Sequence, residues 1–207
     1  MPLTVTNKIY STSHAMQDTF VLDTLGKNKR WLEIGANNPV NNGNNTNLLE
    51  LHGWTGVSLE IDPQFKSVWH GAGRRTDEFF VCNAVSFDYS QFCGVHFDYI
   101  QIDVDPTNSN YEILKKVINS GITCDIITYE HNVYNEPSHF KTDGYEFATA
   151  NGYRRVIENA AKLDEPRIMF EDWYVSERVD FEPINFYEWA KPRYGKYCQN
   201  HYNLVCP

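Results

Sequence analysis

Two apolar strands, each ending in polar residues and separated by one helix-length segment, constrain this chain more than any other feature. The first is Trp31-Leu-Glu-Ile, running into the turn Gly35-Ala-Asn-Asn38. The second, Val57-Ser-Leu-Glu-Ile-Asp-Pro63, ends in two carboxylates, Glu60 and Asp62. This order suits an open α/β sheet. Small residues such as Gly35 and Ala36 let the backbone approach a ligand, and an acid at the next strand's tip accepts hydrogen bonds from ribose hydroxyls.

The rest of the chain continues the pattern. An amphipathic helix is expected over residues 13–26, with Met16, Phe20, Val21 and Leu25 on one side and Gly26 closing it. Strands are expected at Trp31–Ile34, Gly56–Ile61, Phe79–Val85, Phe97–Val104 and Asp125–Tyr129. Helices are expected near Thr46–His52 (Leu48, Leu49, Leu51), after Pro63 (Phe65, Val68, Trp69 on one face) and at Asn110–Asn119. Continuous apolar strands separated by helices indicate a mostly parallel sheet covered on both faces. Beyond about residue 140 two further strand-like runs, Tyr153–Ile157 and Arg167–Val175, are expected to form an antiparallel terminal hairpin at the sheet edge. The expectation is therefore a single α/β domain over 1–207, a Rossmann-like, doubly wound, seven-stranded sheet. The aromatic-rich tail Phe186–Pro207 has too little periodicity to be placed.

Composition removes several classes. With 42% hydrophobic and 22% charged residues among 207, the chain is a folded globular protein. A net charge of -9 argues against a nucleic-acid surface; the adjacent arginines Arg74-Arg75 and Arg154-Arg155 read as solvated faces. No apolar run approaches the roughly 18 to 20 residues that span a bilayer, and Met1–Lys8 lacks the form of a secretory signal. Five unpaired-looking cysteines (Cys82, Cys93, Cys124, Cys198, Cys206) point to reduced thiols and a cytoplasmic setting. No CxxC or HExxH suggests zinc.

Chemistry gathers at the strand ends, where doubly wound sheets bind ligands. Strand one delivers Glu33, Gly35, Ala36 and Asn37; strand two Glu60 and Asp62; strand three Asn83, Ala84 and Ser86. Strand four delivers Asp103 and Asp105, and strand five Glu130, His131 and Asn132. Neither GxGxxG nor GxxxxGK[ST] is present, so no phosphate cradle is built. A carboxylate-rich site repels phosphate and suits a cation. S-adenosyl-L-methionine carries a sulfonium and an ammonium and no phosphate, so it fits. His131, at a strand end, can titrate near neutrality and with Asp105 and Glu130 is a candidate catalytic base. A divalent cation on Asp103, Asp105 and Glu130 is an alternative way to acidify a hydroxyl. The Glu171-Asp172-Trp173-Tyr174 run reads as a hairpin with packed aromatics.

In this order and spacing, WLEIGANN, GWTGVSLEIDP, CNAVS, FDYIQIDVD, DIITYEHN, GYRRVIEN and FEDWYV resemble the FkbM-type methyltransferases, over roughly residues 30–175. The resemblance implies S-adenosylmethionine-dependent methylation of a hydroxyl on a glycan or small metabolite. It implies that Glu33, Gly35 and Asn37 line the methionine end, Glu60 holds the ribose, Asn83 and Ala84 border the adenine, and Asp103 lies beside the ammonium or the methyl. Two positions depart from the family. Asn38-Pro39 and an asparagine-rich insertion replace the usual Asp-Gly of the first loop, and Pro106 replaces a glycine. Two rival readings use the same residues: a metal-dependent hydrolase or lyase, and a non-catalytic binding module that retains the fold.

Overall fold

The computed structural model describes residues 11–40, 43–75, 77–135, 137, 139–162 and 165–197, with backbone alone for 194–197. Residues 198–207, with Cys198, His201 and Cys206, lie outside the described residues, as do Asn41 and Asn42 of the asparagine-rich insertion.

Seven strands form one sheet: β1 (Arg30–Ile34), β2 (Thr55–Glu60), β3 (Phe79–Val81), β4 (His96–Ile102), β5 (Thr123–Glu130), β6 (Tyr153–Ala161) and β7 (Met169–Ser176), in the order β3-β2-β1-β4-β5-β7-β6. The first five are parallel, and β7 runs antiparallel between β5 and β6. The expected parallel sheet with a terminal hairpin is what the chain builds. The third strand is shorter than its apolar pattern suggested. It stops at Val81, because the Asn83 carboxamide accepts the Val85 N–H and turns the chain.

Six helices cover the sheet: α1 (Gln17–Leu25), α2 (Asn47–Leu51), α3 (Gln64–Gly71), α4 (Asn108–Asn119), α5 (His139–Ala150) and α6 (Phe186–Tyr197). The first begins later than its sequence pattern because Met16 takes a left-handed conformation, φ 63°. In α2 only Leu48 and Leu49 face inward, and Leu51 is exposed. Trp69 is the buried residue of α3, whereas Val68 faces solvent. Helix α5 has no counterpart in the expected elements. Its stripe is mostly polar, and it reaches the sheet through small residues: a Cβ on Gly144 would lie 2.5 Å from the Tyr129 ring. The unplaced tail begins as α6, whose Phe186 and Trp189 pack on Trp173.

Two apolar clusters lie on opposite faces of the sheet. Trp31, Tyr99, Ile126, Trp173 and Val175 meet Phe20 of α1 and Trp189 of α6 on one face. Leu32, Ile34, Leu59, Ile100, Ile102 and Ile127 meet Ile113 and Leu114 of α4 on the other. The period of two along each strand sorts these sets. The expected hairpin aromatics are real core: Trp173 is fully buried, 4.7 Å from Phe20 and 5.4 Å from Trp189 between ring centroids. No described helix is long and apolar enough to cross a membrane.

Candidate functional site

Register aligns the strand ends into a single row. Glu33 pairs with Ser58 and Gln101, Gln101 with Thr128, and Glu130 with Glu171. Two residues further on, Gly35 stands between Glu60 and Asp103, and Asp103 lies beside Glu130. Reading across β2, β1, β4, β5 and β7, the row is Glu60, Gly35, Asp103, Glu130, Glu171. Four carboxyl groups and one glycine thus sit side by side on one face of the sheet. The glycine is obligatory. Its φ is +90°, and a Cβ there would lie 1.7 Å from the Asp103 carbonyl oxygen.

Above Gly35 opens a cavity of about 660 Å³, within the size range of small-molecule sites. Its wall includes Gly35, Ala36, Asn37, Glu60, Asp62, Asn83, Ala84, Asp103 and Asp105. Every residue expected at the cofactor is therefore on this wall, Glu33 included. Among the described residues the wall holds five carboxylic acids, one histidine and no lysine or arginine.

The acids differ in what holds them. Glu60 Oε2 accepts the Asn37 N–H at 2.8 Å and its Oε1 accepts the Asp62 N–H at 2.9 Å, so it ties the first loop to the end of β2. Each oxygen keeps a further lone pair for a ligand hydroxyl. The indole of Trp69 holds the same loop from α3, donating to the Asn37 carbonyl at 2.8 Å. Asp62 accepts the Gln64 N–H at 2.9 Å and so braces the start of α3. Glu33 is almost wholly buried and accepts from Ser58 Oγ at 2.7 Å, Thr46 Oγ1 at 2.9 Å and Asn44 Nδ2 at 3.3 Å. Burial pushes its pKa up to about 7, against the opposing charge of Arg74.

Arg74 overturns one expectation. It is not on a solvated face but is buried beneath the first loop. Its guanidinium donates to Thr46 Oγ1 at 2.8 Å, Asn44 Oδ1 at 3.3 Å, the Pro39 carbonyl and Glu50, and stacks 4.2 Å from the Trp69 ring. Thr46 passes the hydrogen bond on to Glu33. This arginine gathers Pro39, Asn44 and Thr46, and arginine's flat fork of donors suits that task. Adjacent arginines in a sparse basic background gave no sign of it.

At the other end of the row, the carboxyl group of Glu130 lies beside that of Asp103. Burial, and then the charge of Asp103, push Glu130 up to about 12. Glu171 is fully buried; burial raises its carboxyl well above the usual range, although the Trp173 indole donates to it. Asp105 lies past the end of β4, exposed on the cavity wall. His131 is fully buried. Its Nδ1 accepts the Val133 N–H at 3.2 Å, which assigns the proton to Nε2, and Nε2 meets Asp172 Oδ1 at 3.2 Å. Neither ring nitrogen faces the cavity wall, so the base expected of His131 has no free lone pair. Asp172 also accepts from Arg155 at 2.9 Å and from the Asn159 N–H at 2.7 Å, stapling β6 and β7 to the end of β5.

Asp103, Asp105 and Glu130 do not bring three ligand atoms within 4.8 Å of one another. Among the described residues only His96, Asp98 and Asp125 do, at the opposite edge of the sheet. There Lys29 already meets Asp98 at 3.0 Å and Arg178 meets Asp125 at 3.4 Å.

Strand order, the inserted antiparallel β7 and the position of the cavity together define the Rossmann-like fold of class I S-adenosylmethionine-dependent methyltransferases. No protein-family model matches the sequence, and no curated protein does. Solved structures share the fold at low identity. Magnesium protoporphyrin IX methyltransferase from Synechocystis PCC 6803, solved with bound S-adenosylmethionine, has a TM-score of 0.56 at 11% identity, covering 78% of each chain. Spermidine synthase from Thermotoga maritima has a TM-score of 0.56 at 15% identity, covering 95% of this chain and 69% of its own. Fibrillarin from Methanococcus jannaschii, a pre-rRNA processing protein, has a TM-score of 0.51 at 16% identity, covering 73% and 68%. Proteins with acceptors this varied share one fold, so the fold leaves the acceptor open.

Proposed function

We propose that the chain is an S-adenosylmethionine-dependent methyltransferase that alkylates a hydroxyl oxygen of a small molecule or glycan. The observation that carries this reading is the carboxyl row flanking Gly35 under a cavity without a lysine or arginine. Such a wall favours a cationic, phosphate-free nucleoside over a nucleotide. When bound, the cofactor supplies an electrophilic methyl group on sulfur.

The residues act as follows. Glu60 and the Asn37 loop hold the ribose, Asn83 and Ala84 border the base, and Gly35 with Asp103 forms the floor beneath the methionine end. Glu33, Thr46 and Arg74 keep the loop in place from below. The chain's own part would be to orient the acceptor hydroxyl toward that methyl group and to take up the proton the hydroxyl loses. Asp105, exposed on the wall, takes that role in preference to the enclosed His131. Motifs behind the FkbM resemblance supply this row: WLEIGANN gives Gly35, SLEID gives Glu60, QIDVD gives Asp103 and Asp105, YEHN gives Glu130 and FEDWYV gives Glu171. On these motifs we propose membership of that subfamily.

Calorimetry with S-adenosylmethionine and S-adenosylhomocysteine tests the reading. Micromolar binding that weakens at least tenfold in Glu60→Ala is expected. Absence of binding at millimolar ligand refutes it.

A further inference from the structure

The cofactor accounts for only half of the carboxyl row. Strands in a sheet lie about 4.8 Å apart, so Glu130 and Glu171 stand two and three strands, roughly 10 and 14 Å, from the first loop at β1. Neither belongs to the wall of the cavity above Gly35. Among the described residues no lysine, arginine or histidine forms an ion pair with Asp103, Glu130 or Glu171. Bases of α5 and β6 are committed elsewhere: Lys141 to Glu158 and Asn159, Arg155 to Asp172 and Glu158.

A second feature points the same way. Gln101 lies one row below Asp103 on the same face, 2% exposed, on the cavity wall, and its Oε1 has no hydrogen-bond donor. Asn132 Oδ1, just past Glu130, also lacks one. A buried acceptor without a donor costs free energy that a ligand can recover. Here the unmet groups are acceptors beside carboxyls. The complement is a group that only donates and carries positive charge, and an ammonium does both. A divalent ion fits less well, since no three of these carboxyls bring ligand atoms within 4.8 Å of one another.

We propose that the acceptor is an amine-bearing molecule whose ammonium is held by Asp103, Glu130 and the side-chain carbonyl of Gln101, with Glu171 next in the row beyond Glu130. This rests on the methyl-transfer reading and adds the class of acceptor. Burial, and then the charge of Asp103, keep the Glu130 carboxyl protonated at rest, so an arriving cation displaces that proton into solvent. The amine thus anchors the molecule while a neighbouring hydroxyl faces Asp105.

The test titrates two matched pairs of probes, ethanolamine against ethylene glycol and glucosamine against glucose, in two buffers of different ionisation heat. Each is run on the protein alone and on protein saturated with S-adenosylhomocysteine. At least tenfold preference for the amine of a pair is expected, the worth of one hydrogen bond to a charged group. The two buffers report proton release. Gln101→Leu and Glu130→Gln, each checked for an unchanged circular dichroism spectrum and thermal midpoint, bring the preference close to one. Equal binding within both pairs, no binding of either amine at millimolar concentration, or an unchanged preference in both variants overturns the proposal. So does displacement of the amine by S-adenosylhomocysteine, which assigns the recess to the cofactor's own amino group. Magnesium chloride heat that Glu130→Gln abolishes also overturns it, in favour of a metal. Failure of S-adenosylhomocysteine to bind at all rejects the methyl-transfer reading instead, while amine selection by the protein alone still reports on the recess.

Discussion

Glu33 and Asp172 are both almost or wholly buried acids at the carboxyl edge of the same sheet, yet they titrate in opposite directions. Glu33, under the first loop, is met by two hydroxyls and an amide, with Arg74 reaching it only through Thr46 and Asn44. Its pKa rises to about 7. Burial also works to raise Asp172, but the His131 Nε2–H hydrogen bond, with the Asn159 N–H, holds its carboxyl below the ordinary range, and Arg155 donates directly to it. Burial sets the problem alike in both places, and direct charged partners decide the outcome. The hairpin end is therefore locked by ionic contacts, whereas the loop end is held by a hydrogen-bond chain that answers to pH.

The largest effect is expected where the ionic lock is broken. Asp172→Ala leaves Arg155 facing a buried vacancy and costs about 3–5 kcal/mol, read by urea unfolding; a loss below about 1 kcal/mol rejects the lock. The loop end has a distinct signature. Glu33 has an unfolded value of 4.5 and a folded value near 7, so the folded chain keeps a proton that the unfolded chain releases. Its contribution to stability is thus present below about pH 4.5 and declines as pH rises to about 7. Glu130 acts in the same direction over a wider range, so the comparison needed is with Glu33→Gln. The difference between the two proteins should change by on the order of 3 kcal/mol across that window and stay level above it. Unfolding series at closely spaced pH values check this.

Arg74→Met keeps the contact with Trp69 but strands Asn44, Thr46 and the Pro39 carbonyl. Roughly 2–3 kcal/mol of stability should go, with weaker binding of S-adenosylhomocysteine, while the Asp172 staple keeps β6 and β7 protected in amide exchange. Loss of protection throughout the hairpin would show that the two ends are not separate. The smallest effect belongs to Glu60→Gln. It preserves one acceptor for the loop N–H groups and should weaken cofactor binding by about tenfold, or 1.4 kcal/mol, with unfolding nearly unchanged.

Legibility in the sequence followed the source of each signal. Apolar periodicity and glycine stops placed the seven strands, because a parallel sheet must be apolar on both faces. The acids Glu60, Asp103 and Glu130 were visible as strand tips. Helix α5 was not, since Gly144 and Ala148 fit against Tyr129 by being small and leave no apolar stripe. Arg74 gave no sign, because its partners, Pro39, Asn44, Thr46 and Glu50, come together only after the loop folds over α3. Glu171 was read as part of a packed hairpin, and Trp173 justifies that; its place beside Glu130 follows from the β5–β7 register, which no local pattern encodes. His131 looked like a base because its company in the sequence is acidic. Its actual neighbour, Asp172, arrives from 41 residues downstream.

Contact between Gly35 and the Asp103 backbone has one more consequence. The Asp103 N–H also donates to the Ile34 carbonyl at 3.0 Å, so the first turn and the tip of β4 are tied as well as packed. A ligand lying across Gly35 and Asp103 therefore rests on one continuous stretch of backbone, not on side chains free to turn.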